Sequence, residues 1–195
     1  VIEGGVYGTT CARVGCMPSK LMIAAAEAAH AIAHSGPFGV HGGPLRVDGE
    51  AVMQRVRSER DRFVGFVTDA VDHWPDEHKL QGRARFVADG VLQVDGHTQV
   101  EAARIVIATG SRPAVPPLWR QRLGERLIVN DDVFSWTTLP RSVAVVGAGV
   151  IGLELAQALH RLGVRVRLYG RSDHVGPLSD PALQAVAREV FAQEL

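Results

Sequence analysis

The sequence predicts an α/β fold, built of parallel strand–helix–strand units joined to a small antiparallel β-meander. Three observations carry this. The apolar run Ser142–Val146 leads straight into Gly147-x-Gly149-x-x-Gly152 and then into a helix-favouring segment, the order strand, glycine turn, helix. The stretch LMIAAAEAAHAIAH is rich in strong helix formers. Between them lie ARFVADG, VLQVDG and QVEAARIVIATG, short β-rich runs broken by Asp-Gly and Gly-His.

Taken in order, residues 1–3 read as a short strand followed by a glycine-rich turn. A helix is expected from Pro18 to about His34, apolar nearly all round and therefore buried, and ended by Gly36-Pro37. Asp48 to about Asp72 reads as a second helix. Asp48 can cap it, Glu50 suits its first turn, and Val52, Val56, Phe63, Val67 and Val71 recur near helical spacing. The meander follows. Ile105–Ala108, a continuous apolar run, is expected as a fully buried strand, as is Ser142–Val146. SRPAVPP is a Pro-rich connector and marks the boundary between two units: residues 1–115, a linker at 116–140, and residues 141–195. In the second unit a helix spans Val150–Leu162, Gly163 closes it, and Val164–Tyr169 is the next strand.

Composition excludes several function classes. The 195 residues are 46% hydrophobic and 22% charged, which is too apolar for a disordered chain. Lys+Arg and Asp+Glu both number 21, so no global charge draws the chain to nucleic acid or to an anionic membrane. No apolar run approaches the ~20 residues of a membrane span, and the opening residues do not read as a signal peptide. The 2 cysteines are too few to staple a secreted scaffold, which points to a cytoplasmic setting with the pair kept for other chemistry. The chain opens on VIEGG without a Met and stops at REVFAQEL inside an expected helix, so a piece of a longer protein is expected.

The glycine turn carries a specific role for each residue. Gly147 makes the tight turn, Gly149 lets backbone approach a pyrophosphate, and Gly152 lets helix and strand pack. The helix N-terminus then offers free N–H groups and positive dipole to the phosphates. A glycine turn with no ligand is the competing reading. The strand RVRLY ends at Tyr169 and is followed by Gly170-Arg171, with no carboxylate where a ribose 2′-hydroxyl reader stands. Arg171 could instead meet a 2′-phosphate, or be a solvated charge. The cofactor is NAD(P), with a slight lean to NADP.

Cys11 and Cys16 lie in YGTTCARVGCMPSK. In a straight helix that spacing leaves the Cα atoms roughly 8–9 Å apart, from helix rise and radius. A disulfide needs them within about 7 Å. Cys11 must therefore lie in a distorted lead-in, which Gly15 permits, with Pro18 as the first regular helical residue. Cys16 would sit at the positive end of the helix, where a thiolate is favoured. The geometry suits a redox pair; two inert cysteines are the other reading. Cys11, Cys16, His30 and His34 also mimic a zinc spacing, but His30 lies about 18 Å along the helix, so one ion cannot reach all four and no metal is expected.

These motifs resemble the pyridine nucleotide-disulfide oxidoreductases, the flavoprotein family that includes dihydrolipoamide dehydrogenase, glutathione reductase and mercuric reductase. GTTCARVGCMPSK is similar to the redox-disulfide motif, GRARF to the strand beside the flavin's adenine, IVIATGSRP to the strand closing the flavin domain, and GAGVIGLE to the nicotinamide-nucleotide fingerprint. CMPSK and GVIGLELA are in the style of the dihydrolipoamide enzymes.

The resemblance implies FAD/NAD(P)-binding Rossmann-like domains, FAD and NAD(P) as cofactors, and a Cys11–Cys16 redox disulfide. Cys16 would face the flavin and Cys11 would exchange with a small-molecule or lipoyl disulfide/dithiol substrate. Lys20 would approach the flavin and pair with Glu154. Glu3 would hold the FAD ribose. Gly8, Thr10, Ala84, Thr109 and Gly110 would serve the flavin, and Gly147, Gly149, Ile151, Gly152 and Arg171 the nicotinamide nucleotide. The full-length parent would be a homodimer. The family's opening flavin fingerprint, later flavin segment and dimerisation domain with its His–Glu base have no counterpart in these residues, so the chain alone is expected to be inactive. A glutathione- or mercury-type NADPH reductase, and a non-catalytic dinucleotide-binding redox module, are the alternatives.

Overall fold

The computed structural model describes residues 1–195. Strand β1 (Ile2–Glu3) pairs in parallel with β2 (Leu80–Gln81). Between them run a short helix α1 (Thr10–Val14), α2 (Cys16–Ala33) and α3 (Gly49–Asp72). Strands β3 (Ala84–Ala88), β4 (Val91–Val94) and β5 (Thr98–Glu101) form the expected antiparallel meander. Helix α4 (Pro117–Leu123) and a 3₁₀ segment at Asn130–Ser135 lead to β6 (Ser142–Val146), α5 (Val150–Arg161), β7 (Arg165–Tyr169) and α6 (Pro181–Glu194). β6 and β7 pair in parallel, Ser142 opposite Arg165 through Val146 opposite Tyr169. No helix is long and apolar enough to cross a membrane.

Local chemistry sets the helix ends. Asp48 Oδ1 accepts from Glu50 N at 3.1 Å and Ala51 N at 3.0 Å, and so caps α3. Gly163, at φ +87°, turns the chain out of α5.

The core is a stack of helices on a small sheet. Met22, Ala26 and Ala29 of α2 meet Met53 and Val56 of α3 on one side and Leu155, Ala156, Ala158 and Leu159 of α5 on the other. Val133 and Phe134 close it, and Val164 and Val166 bring in β7. The alanines at the α2–α5 contact remove bulk between the helices, so their backbones approach closely. Arg60 Nη1 donates to Phe134 O at 3.0 Å and Arg57 Nη1 to Trp136 O, tying α3 to the 3₁₀ segment.

Four expectations need correction. Helix α2 begins at Cys16, two residues before Pro18. It is also not buried all round: Ala24, Ala28 and Ile32 are exposed, because α3 and α5 cover only two of its sides. Ile105–Ala108 forms no strand, and Val106 and Ile107 are 88% and 70% exposed. An apolar run becomes a buried strand only when other strands flank it, and none in this chain pairs with it. Strand β6 forms but is half exposed, since β7 is its one neighbour.

Candidate functional site

The two cysteines meet across a break between helices. Thr9 caps α1, its Oγ1 accepting from Ala12 N at 3.0 Å. Gly15, at φ −130° and ψ −119°, ends α1 and begins α2. A Cβ there would lie 3.0 Å from Thr10 O and 3.3 Å from Cys11 Cα, so glycine is what allows α1 to fold back so tightly. The fold-back packs Cys11 against Gly15, the residue that precedes Cys16, and so brings the two thiols near each other. Both are exposed free thiols.

The Cys11 thiol is raised above its ordinary range. The largest cause is the side-chain hydrogen bond with Cys16, followed by desolvation and the charge of Cys16; N–H groups of Cys16 and Met17 pull it down. The first amides of α2 thus act on the Cys11 sulfur as well as lying beside Cys16. No histidine bonds to either sulfur.

One turn into α2, two helices are joined by charge. Lys20 Nζ forms an ion pair with Glu154 Oε1 of α5. The Ser19 hydroxyl lies 3.1 Å from the same oxygen and 3.2 Å from Cys16 O. Ser19 is buried, so its hydroxyl has to find protein partners. The Lys20–Glu154 pair was legible in the sequence only through the resemblance. Ser19 carries no signal in the sequence beyond its place between Cys16 and Lys20.

A second cross-link joins α2, α5 and α6. Arg161 bonds Glu27 of α2 and, through Nε at 2.6 Å, Glu194 Oε1 of α6. Gln157 Nε2 donates to Glu194 Oε2 at 2.6 Å. Burial pushes the Glu194 carboxyl up, but the bonds from Arg161 and Gln157 and the Arg161 charge outweigh it and hold it below the usual carboxylate range. Lys20 to Glu27 and Glu154 to Arg161 are matching seven-residue steps, so the parallel helices carry two ion-pair rungs of opposite polarity.

The glycine turn has the shape its sequence implies. Gly147 has φ +127°, and its N–H donates to Tyr169 O at 2.8 Å. Gly149 is the N-cap of α5 without a side-chain cap bond, and a Cβ built on it meets nothing within 4 Å. A Cβ on Gly152 would strike Gly147 O and lie 3.6 Å from Val145 Cγ1 of β6. The open space at Gly149 and the uncapped helix end fit a pyrophosphate. Ile151 is exposed at the start of α5, and Arg171 is exposed just beyond β7 with no ion-pair partner.

The residues assigned to the flavin are partly gathered. Gly82 N donates to Glu3 O at 2.9 Å, which brings Glu3 beside Arg83 and Ala84. Glu3 Oε1 accepts from Gly5 N at 2.7 Å, leaving its second oxygen as a free acceptor suited to a ribose hydroxyl. Gly8, at φ +107°, and Thr10 flank the cap of α1. Thr109 and Gly110 lie in the exposed irregular stretch after β5, and no hydrogen bond joins them to the others. His30 and His34, of the zinc-like spacing, stack on each other at 4.0 Å in the last turns of α2, far from the cysteines.

A family model described as pyridine nucleotide-disulphide oxidoreductase matches residues 1–194. The chain is 37% identical over 184 residues to dihydrolipoyl dehydrogenase 3 of Pseudomonas aeruginosa, covering 90% of this chain and 38% of that protein. It is 29% identical over 199 residues to a mercuric reductase of Staphylococcus aureus, covering 100% of this chain and 35% of that protein. Among solved structures, LpdA of Mycobacterium tuberculosis superposes with a TM-score of 0.77 at 24% identity, covering 100% of this chain and 43% of that one, which bears on the fold alone. The chain thus spans well under half the length of the relatives it matches. With residues 1–194 matched, the chain belongs to the pyridine nucleotide-disulphide oxidoreductase family.

Proposed function

We propose that this chain supplies the redox dithiol and the nicotinamide-nucleotide turn of an FAD-dependent disulfide oxidoreductase acting on a dithiol or disulfide substrate of the lipoyl type. The observation that carries this reading is the fold-back at Gly15, which sets the helices bearing Cys11 and Cys16 against each other. Two free thiols that are exposed and straddle a tight break at a helix start can exchange two electrons with a substrate and close on each other.

In the oxidative direction a substrate thiolate attacks Cys11 Sγ of the Cys11–Cys16 disulfide. The S–S bond breaks and its electron pair leaves on Cys16. The second substrate sulfur then attacks the mixed disulfide, closes the substrate ring and releases Cys11 as a thiolate, which takes up a proton. Bound FAD and NAD(P) would supply the hydride and two-electron chemistry that carries reducing equivalents onward. Glu3, Gly8, Thr10, Ala84, Thr109 and Gly110 are assigned to the first, and Gly147, Gly149, Ile151, Gly152 and Arg171 to the second. The Lys20 ammonium, held by Glu154, keeps a fixed positive charge one turn from Cys16.

The division into a flavin unit (1–115), a linker (116–140) and a nucleotide unit (141–195) belongs to the same reading. So do a homodimeric full-length protein, a cytoplasmic setting suited to free thiols, and partners confined to small molecules or lipoyl groups rather than nucleic acid or membrane. The 195-residue chain alone is expected to turn over no substrate.

A second reading has its own observation. Arg171, in place of an acid after β7, favours an NADPH-linked reductase of the glutathione or mercury type. One assay separates them: dihydrolipoamide-driven NAD⁺ reduction against NADPH-driven reduction of disulfide or Hg²⁺, with Cys11→Ser and Cys16→Ser as controls. The first reaction, lost in both variants, supports the main reading, and the second supports the alternative. A colourless full-length protein without either activity would leave a non-catalytic binding module.

A further inference from the structure

The segment after β7 is strapped down. Gln184 of α6 is 4% exposed, and its amide is spent entirely on backbone of that segment. Its Oε1 accepts from Val175 N at 2.8 Å, and its Nε2 donates to Val175 O at 3.1 Å and Leu178 O at 2.6 Å. Gly176 N donates to Ala148 O at 2.7 Å, inside the glycine turn. Gly170 also lies on that turn, where a Cβ would come 3.4 Å from Ala148 Cβ. Arg188 Nη1 adds a bond to Asp173 O at 3.3 Å. Residues 170–178 are therefore held by one hydrogen bond to the glycine turn and by α6 from behind. Arg171, Asp173 and His174 are exposed on the strap.

A buried amide is retained only when its bonds are made, since each unmet polar group costs free energy. Here all of them go to the strap, so Gln184 determines where the strap sits. We infer that Gln184 is a positioning residue for nucleotide choice: it holds the strap on the glycine turn so that Arg171 is already in place for a ribose 2′-phosphate. This rests on the reading of Gly147–Gly152 as a dinucleotide turn and on the second, NADPH-linked reading above, in which Arg171 meets a 2′-phosphate. Without the amide, Arg171 has to be ordered on binding, and apparent affinity falls by the fraction of time the strap is out of place.

The test titrates the purified protein with adenosine 2′,5′-bisphosphate and adenosine 5′-phosphate by calorimetry. The native protein is expected to bind the bisphosphate more tightly. Gln184→Met should weaken the bisphosphate about tenfold and leave the monophosphate unchanged. In an Arg171→Ala background, Gln184→Met should add nothing, because it acts through Arg171. Equal losses for both ligands, additive losses with Arg171→Ala, or a native protein that binds both ligands alike would overturn the inference while leaving the dinucleotide turn intact. A native protein that binds neither overturns the reading of the turn itself. If Gln184→Met does not fold, Arg188→Ala removes one exposed bond to the strap. It should give the same selective loss in smaller measure, and an unselective or absent effect overturns the inference.

Discussion

Ser19 and Glu154 stand 135 positions apart in the chain, yet the buried Ser19 hydroxyl lies 3.1 Å from Glu154 Oε1. The same hydroxyl lies 3.2 Å from Cys16 O. One side chain thus links the first residue of the cysteine helix to the helix that opens at the glycine turn. The single hydroxyl proton has two acceptors within reach, a carbonyl of the first turn of α2 and a carboxylate of α5.

The Glu154 junction should separate charge from hydrogen bonding. Lys20 is largely exposed, so its ion pair contributes at most about 1 kcal/mol. The bond from buried Ser19 to a carboxylate contributes about 2 kcal/mol. Glu154→Gln should therefore cost less than Glu154→Ala by about 1–2 kcal/mol in urea unfolding. Equal losses would show that Ser19 does not depend on Glu154.

The raised Cys11 thiol predicts a pH effect of definite sign. A thiol shifted upward stays protonated to higher pH, so alkylation of Cys11 by iodoacetamide should reach half its maximal rate above the ordinary thiol range. Cys16→Ala removes the largest cause and leaves the N–H bonds that act downward. Its midpoint should fall, and labelling near neutral pH should speed up. An unmoved midpoint would mean that the two sulfurs do not interact.

Two glycines of one motif should fail differently. An alanine at Gly152 collides with Gly147 O, and overpacking of that kind costs about 1–3 kcal/mol. An alanine at Gly149 meets nothing, so Gly149→Ala should unfold at the native temperature while losing dinucleotide affinity. Thermal unfolding read beside calorimetric binding tells them apart; a destabilised Gly149→Ala would contradict the open turn.

Glu194 should make stability sensitive to acid. Its carboxyl is lower in the folded chain than in the unfolded one, so its contribution is present above the ordinary carboxylate range and is lost as pH falls through the folded value. Glu194→Gln should flatten the acid limb of a stability–pH curve. Arg161→Ala should do the same and also lower stability at neutral pH, by about 1 kcal/mol, because the half-buried Glu194 loses its charged partner while the exposed Glu27 is left to solvent. An unchanged acid limb in both variants would remove Glu194 from the balance.

Much of the fold and half of the candidate site were legible in the residues. The caps at Asp48 and Gly163, the Asp-Gly turns of the meander and the strand–turn–helix order around Gly147 act over a few residues, where steric and hydrogen-bonding preferences are decisive. The Cys11–Gly15–Cys16 spacing belongs with them, because the need to bend between the cysteines follows from helix dimensions alone.

Ile105–Ala108 shows the limit of that reasoning. Four apolar residues state a preference for burial, but burial needs partners, and the strands that would flank the run are not set by the run. Ser19, Arg161 and Gln184 were silent for a related reason. A serine, an arginine and a glutamine are ordinary surface residues until packing removes their water, after which each has to bond whatever the fold brings near. Local chemistry thus determined the elements, the turn and the dithiol. Tertiary packing decided which helices touch, which carboxylate receives Ser19 and which loop receives Gln184, because desolvation creates those demands only once distant segments have met.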